Sequence, residues 1–235
     1  MCRGGPGERS KDLARPAHSL WFYFTGLRAG PMTLLSRIDL IREIVGLVEA
    51  PRGLILNLGC KETRLGNINV DISGLPEVRA DALFLPFRAD AFSIVVFSEV
   101  LEHLQRGTES QALREIHRVL RSNGVLILST PSAEGFWGKI YWLADPTFWL
   151  IGHRHYTQAG LRQLLDKSGF RIEQFMVRGG PRDMLFSLVS PLVYLLGKLT
   201  SPHYPNLGSD YLVENCKRGY TIVVEARKSH RELQL

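Results

Sequence analysis

Three short, nearly continuous apolar runs most constrain this chain: "LILNL" at 54–58, "FSIVVF" at 92–97 and "GVLILST" at 124–130. Each is too short for a helix that spans a core. Each is apolar on both sides of a two-residue alternation, the signature of a strand buried on both faces of a parallel sheet. Shorter candidate strands lie at 68–70 and 78–80, and two longer ones at 170–177 and 220–228. Helical spacing fills the gaps. Ala112, Leu113, Ile116, Val119 and Leu120 form one stripe of a helix over 108–120, with Thr108 and Gln111 as a capping box and Asn123-Gly124 as its stop. A second helix, 158–167, starts after Thr157 and turns Leu161, Leu164 and Leu165 inward. A third is predicted over 34–48, ended by Pro51 and Gly53. Strands alternating with helices specify an α/β fold with a mainly parallel sheet.

At 235 residues the chain suits one domain. Residues 1–30 read as a mobile polar tail with an apolar cap segment, "SLWFYFTGL". Residues 31–235 read as the domain proper, with apolar insertions at 135–156 and 179–218. Basic residues ahead of the cap resemble a signal peptide, but Glu8, Asp12 and the lack of a small-residue cleavage pattern argue against one. The net charge of +6 is scattered and selects no partner. Three distant cysteines, Cys2, Cys60 and Cys216, argue against a disulfide framework and for a reducing, cytoplasmic setting. Association with a membrane surface through the apolar insertions is the extension of that expectation.

In open α/β sheets, ligands bind outside the carboxyl ends of the strands. Here those ends read Asn57-Leu58-Gly59, Asp71, Asp81 and Ser98-Glu99. Glycine after the first strand lets a ligand approach the backbone. A carboxylate after the second can accept both hydroxyls of a ribose, and one after the third an exocyclic amine. That set describes an adenosine site. Pyrophosphate is disfavoured, because the loop after Gly59 reads Cys60-Lys61-Glu62-Thr63-Arg64-Leu65-Gly66, without the glycine triplet and with an acidic Glu62. The nine residues 59–67 must also carry the chain back to the next strand. Fully extended they reach about 30 Å, against roughly 17 Å for a five-residue strand, so a loop with at most one helical turn suffices. Without a crossover helix, a ligand carboxylate needs another cation, and Arg64 is the candidate.

With these residues in place, the chain resembles class I S-adenosylmethionine-dependent methyltransferases, in particular the type 11 subgroup with a reduced first crossover. The segments "LNLGC", "NVDIS", "ADALFLPFRADAFSIVVFSEVLEHL", "LREIHRVLRSNGVLILSTP" and "HRHYTQAGLRQLLDKSGF" carry the resemblance through their order and spacing. It implies a Rossmann-like seven-stranded sheet of order 3-2-1-4-5-7-6 with strand seven antiparallel and helices on both faces. It implies S-adenosylmethionine as cofactor: Asn57 and Gly59 at the methionine end, Asp71 with Ile72 at the ribose, Asp81, Ala82 and Leu83 around the adenine, and Ser98 beside them. Cys60-Lys61-Glu62 departs from the family, where a second glycine is usual.

"SEVLEH" adds a further expectation. Glu99, Glu102 and His103 would share one face of a helical turn. The segment is similar to the metal-binding stretch of ubiquinone-pathway and small-RNA methyltransferases, which implies a divalent cation there, with His153 or His155 as a later ligand. Without metal, His103, His153 and His155 are the candidate general bases. The aromatic insertion over the acceptor side suits a small or lipid-like acceptor, methylated at oxygen. Two rivals stay open: a non-catalytic interaction subunit with the same fold, and a nucleic-acid methyltransferase, which the scattered basic residues favour less.

Overall fold

The computed structural model describes residues 35–36, 41, 44–46, 48, 50, 52–60, 64–144, 154–179, 212–213 and 219–229. Seven strands form one sheet: β1 (Leu54–Leu58), β2 (Ile68–Asp71), β3 (Val78–Arg79), β4 (Phe92–Ser98), β5 (Leu120–Pro131), β6 (Phe170–Arg178) and β7 (Thr221–Lys228). Their spatial order is 3-2-1-4-5-7-6. β7 runs antiparallel to both neighbours and the β1–β5 pairings are parallel. This is the expected Rossmann-like arrangement.

Two helices cover one face of the sheet: α1 (Glu109–Val119) and α3 (Gln158–Lys167). Ala112, Leu113, Ile116 and Val119 of α1 and Leu161 and Leu165 of α3 join Leu56, Leu58, Val95, Phe97, Leu126, Leu128 and Val224 in one buried cluster. Alternate residues on the other face, Ile94, Val96, Val125, Ile127 and Val223, are equally buried. Both faces are therefore dry, which explains why these strands read as apolar runs. A further helix, α2 (Gly135–Ala144), follows β5.

Thr157 caps α3 as expected, its hydroxyl accepting from Gly160 N–H. Three expectations need correction. The capping box of α1 does not form: Thr108 Oγ1 donates instead to Gln105 O, and Gln111 Nε2 to Leu83 O. α1 ends at Val119, and β5 begins four residues early, because Leu120 already pairs with Phe92 and a register shift follows, with Asn123 left-handed at φ 60°. The helix predicted over 34–48 does not include 35–36, since Leu35–Ser36 is a strand paired with Leu212–Val213; Ile41 and residues 44–46 are helical. The tail and cap at 1–30 and most of the 179–218 insertion lie outside the described residues.

Candidate active site

The short crossover is built around one asparagine. Asn69 sits inside β2 and is 3% exposed. Its Oδ1 accepts from Asn57 Nδ2 at 3.0 Å, Leu65 N at 3.2 Å and Gly66 N at 3.3 Å, while its Nδ2 donates to Gly66 O. Asn67 adds a reciprocal pair with Ile55: Asn67 N donates to Ile55 O, and Ile55 N to Asn67 Oδ1. Gly66 threads against the strands so closely that a Cβ there would lie 2.7–2.9 Å from Ile55 O, Asn57 N and Ile68 O. Side-chain bonds thus do the work a crossover helix usually does.

This crossover starts at Gly59. Gly59 is left-handed at φ 76°, and Gly59 N and Cys60 N both donate to Val70 O. The turn at the tip of β1 is thereby tied to the last residues of β2, next to Asp71. Cys60 registers the proximity: its thiol pKa is raised, first by burial and then by the Asp71 charge. Asp71 is buried, and its Oδ1 accepts from Ser73 N and Ser73 Oγ. Asp81 does likewise one strand over, its Oδ1 accepting from Leu83 N at 2.9 Å. Both carboxylates therefore cap their own turns. A carboxylate has roughly four acceptor positions, so capping and ligand contact are compatible. An exposed apolar side chain follows each: Ile72 at 67% and Phe84 at 71%.

The other predicted donor-site residues divide. Ala82 is buried and Leu83 half-buried against the main core. Asn57 donates its amide to Asn69, so its side chain holds the turn. Arg64 forms an ion pair with Glu77, whose other oxygen accepts from Asn69 N. Lys61, Glu62 and Thr63 lie outside the described residues.

β4 ends beside β1: Phe97 pairs with Leu58, and a Cβ on Gly59 would strike Val100 Cγ2. The segment between carries a polar network. Glu99 N donates to Ser129 O, which pins Glu99 to β5 and leaves it left-handed at φ 54°. Ser129 Oγ donates to Glu99 Oε1 at 2.8 Å. A hydroxyl carries one hydrogen, so in the 2.8 Å contact between Ser98 and Ser129 it is Ser98 that donates. Glu102, 3% exposed, accepts from Thr130 Oγ1 and is hydrogen-bonded to Glu99. Its carboxyl is pushed well above the usual range, first by burial and then by the Glu99 charge. Burial and the neighbouring carboxylate both favour the neutral form of Glu102.

This geometry does not bring the three expected ligands of the segment together. The shared face of Glu99, Glu102 and His103 required one continuous helical turn. The 3₁₀ turn spans only Leu101–His103, and Glu99 lies outside it in a left-handed conformation. Glu102 faces inward to Thr130, whereas His103 is exposed. Among the described residues, no three His, Cys, Asp or Glu side chains converge as a metal site. His103 is the exposed last residue of an otherwise buried turn, and half-buried His155 lies between Arg154 and Tyr156, next to the bridge of Tyr156 to Ser132. His153 lies outside the described residues. Tyr156 donates to Leu101 O, and its hydroxyl is pushed up to about 12, chiefly by burial. It stays neutral near pH 7 and serves as a strut.

The state of Glu102 has a measurable consequence. A carboxyl raised in the folded state stabilises fully below the unfolded value, about 4.3, and that contribution is lost as pH rises through the folded value. Glu102→Gln keeps the Thr130 contact without the titration. Thermal denaturation from about pH 4 to about pH 8 should show the variant gaining steadily on the wild type. Parallel curves would mean that Glu102 is ionised in the fold.

Sequence reasoning missed Asn69, Ser129, Thr130 and the Gln111–Leu83 bond. A signal existed for the first: Asn57 and Asn69 interrupt runs that are otherwise apolar, and a buried polar side chain needs a partner.

Residues 59–128 match the family model described as "Methyltransferase domain". Among solved structures, an S-adenosylmethionine-dependent methyltransferase of Thermotoga maritima, described as a possible histamine N-methyltransferase, has a TM-score of 0.57 at 17% identity, covering 90% of this chain and 95% of its own. The [4+2]-cyclase SpnF also reaches 0.57 at 17% identity, covering 82% and 79%. An S-adenosylmethionine-dependent methyltransferase of Archaeoglobus fulgidus scores 0.51 at 16% identity, covering 81% and 94%. No curated protein matches the chain. At such identities the likeness is one of fold, and a cyclase on the same fold shows that fold alone does not dictate the reaction.

Proposed function

We propose that this chain, whose residues 59–128 match a methyltransferase domain, is a class I S-adenosylmethionine-dependent methyltransferase that methylates a hydroxyl oxygen of a small, apolar or lipid-like acceptor. When bound, the cofactor supplies an electrophilic methyl group on a sulfonium. The observation that carries the donor site is the meeting of Gly59, Asp71 and Asp81 at three adjacent strand ends. Asp71 takes the ribose diol and Ile72 lies along the sugar. Asp81 takes the adenine amine, with Ala82 and Leu83 as the apolar wall. The left-handed Gly59 turn admits the methionine end.

The acceptor then belongs on the β4–β5 side, beside Glu99 at the end of β4. Methyl transfer needs chiefly alignment of the acceptor oxygen with the carbon–sulfur bond. As the carbon–oxygen bond forms, the carbon–sulfur pair returns to sulfur and the hydroxyl proton leaves to water or to a neighbouring base. Exposed Phe136 and Leu143 on α2, which directly follows β5, favour an apolar acceptor. No helix among the described residues is long and apolar enough to cross a membrane. We propose peripheral contact with a lipid-borne acceptor, in a cytoplasmic setting.

The test is transfer of a tritiated methyl group from S-adenosylmethionine to a panel of phenols, isoprenoid alcohols, amines and short RNA. The reading expects solvent-extractable methyl ethers from the first two classes. Label confined to amines or RNA would overturn the oxygen assignment.

A further inference from the structure

Resting on the donor site just proposed, we infer that a polar stripe on α1, Gln111, Glu115 and Arg118, sets the enzyme's selectivity for an adenine-bearing donor, although none of the three belongs to the predicted cofactor set. The residues lie four and three positions apart and so share one helix face. They stand beside the apolar stripe that α1 buries.

Residues 82–87 form the loop that continues from Asp81. Ala82 and Leu85 are buried in the core, yet this loop belongs to no strand. Its backbone groups therefore need partners from elsewhere, and α1 supplies them. Gln111 Nε2 donates to Leu83 O at 3.3 Å. Leu85 N donates to Glu115 Oε2 at 2.9 Å. Arg118 Nη2 donates to Leu85 O at 3.0 Å and Nη1 to Phe87 O at 2.7 Å. Arg118 is itself locked by a two-pronged contact with Glu115, both bonds 2.8 Å long. The Arg118 bond is also the leading cause that lowers the Glu115 pKa.

Leu83 is where this framework meets the ligand. Its N–H is held by Asp81 Oδ1 and its C=O by Gln111. The Asp81 carboxylate thus grips a residue whose two flanking peptides are each held, one by Asp81 itself and one by the helix. A hydrogen bond distinguishes an amine from a carbonyl at the same ring position only if the acceptor is held in place. Loosening Leu83 lets Asp81 rotate, and the site then tolerates a purine that offers no amine. Gln111, Glu115 and Arg118 are accordingly positioning residues: they act on the donor through Asp81 and Leu83.

The experiment titrates the full chain with S-adenosylhomocysteine and with S-inosylhomocysteine, which carries a 6-oxo group where the first has the amine. Melting temperatures are recorded alongside. Wild type should prefer the adenosyl ligand by about tenfold or more, the effect of one specific hydrogen bond. Gln111→Ala and Arg118→Leu should reduce that preference to roughly threefold or less, mainly by weakening the adenosyl ligand. Arg118→Lys, which cannot reproduce the two-pronged contact, should resemble Arg118→Leu. Arg114→Ala, at an exposed position of the same helix, should leave both affinities as they are. An unchanged preference in the Gln111 and Arg118 variants, with both affinities falling together or neither, overturns the inference and leaves these residues a purely structural role. A wild type that binds neither ligand removes the donor site itself, and the inference with it.

Discussion

Asp71→Ala is expected to weaken binding of S-adenosylhomocysteine about a hundredfold, because two charge-assisted hydrogen bonds to the ribose diol are together worth roughly 3 kcal/mol. Asp71 also receives the N–H and hydroxyl of Ser73, so part of any loss could come from a disordered turn. Two controls separate the effects. Ser73→Ala removes one of the turn contacts while keeping the carboxylate, and should cost less than about threefold. Asp71→Asn keeps an oxygen for Ser73 N–H but loses the charge and one acceptor, and should fall in between. Calorimetric titration of the four proteins orders them. Equal affinity for wild type and Asp71→Ala would show that the ribose is held elsewhere.

Asn69→Ala should be the most destabilising single change in the crossover. It strands three donors, Asn57 Nδ2, Leu65 N and Gly66 N, and orphans Gly66 O. Unsatisfied groups of this kind cost about 1–3 kcal/mol each when buried. These are only partly buried apart from the Asn57 amide, so a total of roughly 4 kcal/mol is reasonable. That is a large fraction of a typical folding free energy of about 5–15 kcal/mol, and in a chain of this size it lowers the melting temperature by roughly 8–16 °C. Asn67→Ala, which loses the single exposed bond from Ile55 N, should cost only about 1 kcal/mol. Similar melting temperatures for the two variants would mean that the crossover does not depend on the Asn69 hub. Because the hub positions Gly59, Asn69→Ala should also weaken donor binding under conditions where the variant remains folded.

The periodic parts of this fold were legible in the sequence. The bounds of β1 and α3 follow from apolar spacing and the Thr157 cap. The strand order came from resemblance, since no local pattern reports which strands pair. What escaped was the chemistry of side chains that leave their expected local partners. Thr108 and Gln111 have capping-box spacing, but the fold offers Gln111 the carbonyl of Leu83, and that longer-range bond wins. Glu99, Glu102 and His103 have the spacing of one helical turn, but the bond from Glu99 N to Ser129 O keeps Glu99 with the sheet. Spacing rules assume a continuous element, and here the element changes between Glu99 and Leu101. Arg64 looked like the cation for a ligand carboxylate, and it pairs with Glu77. Asp71 and Asp81, chosen because each ends a strand, do occupy neighbouring strand ends, and their capping of local turns came with them.

A crystal structure of the full chain with S-adenosylhomocysteine tests the central claim most directly. The account predicts ribose hydroxyls within hydrogen-bond distance of Asp71, the adenine amine on Asp81, and the sulfur between Gly59 and Glu99. A nucleoside bound away from these strand ends, or one that leaves both carboxylates without a ligand contact, would contradict it.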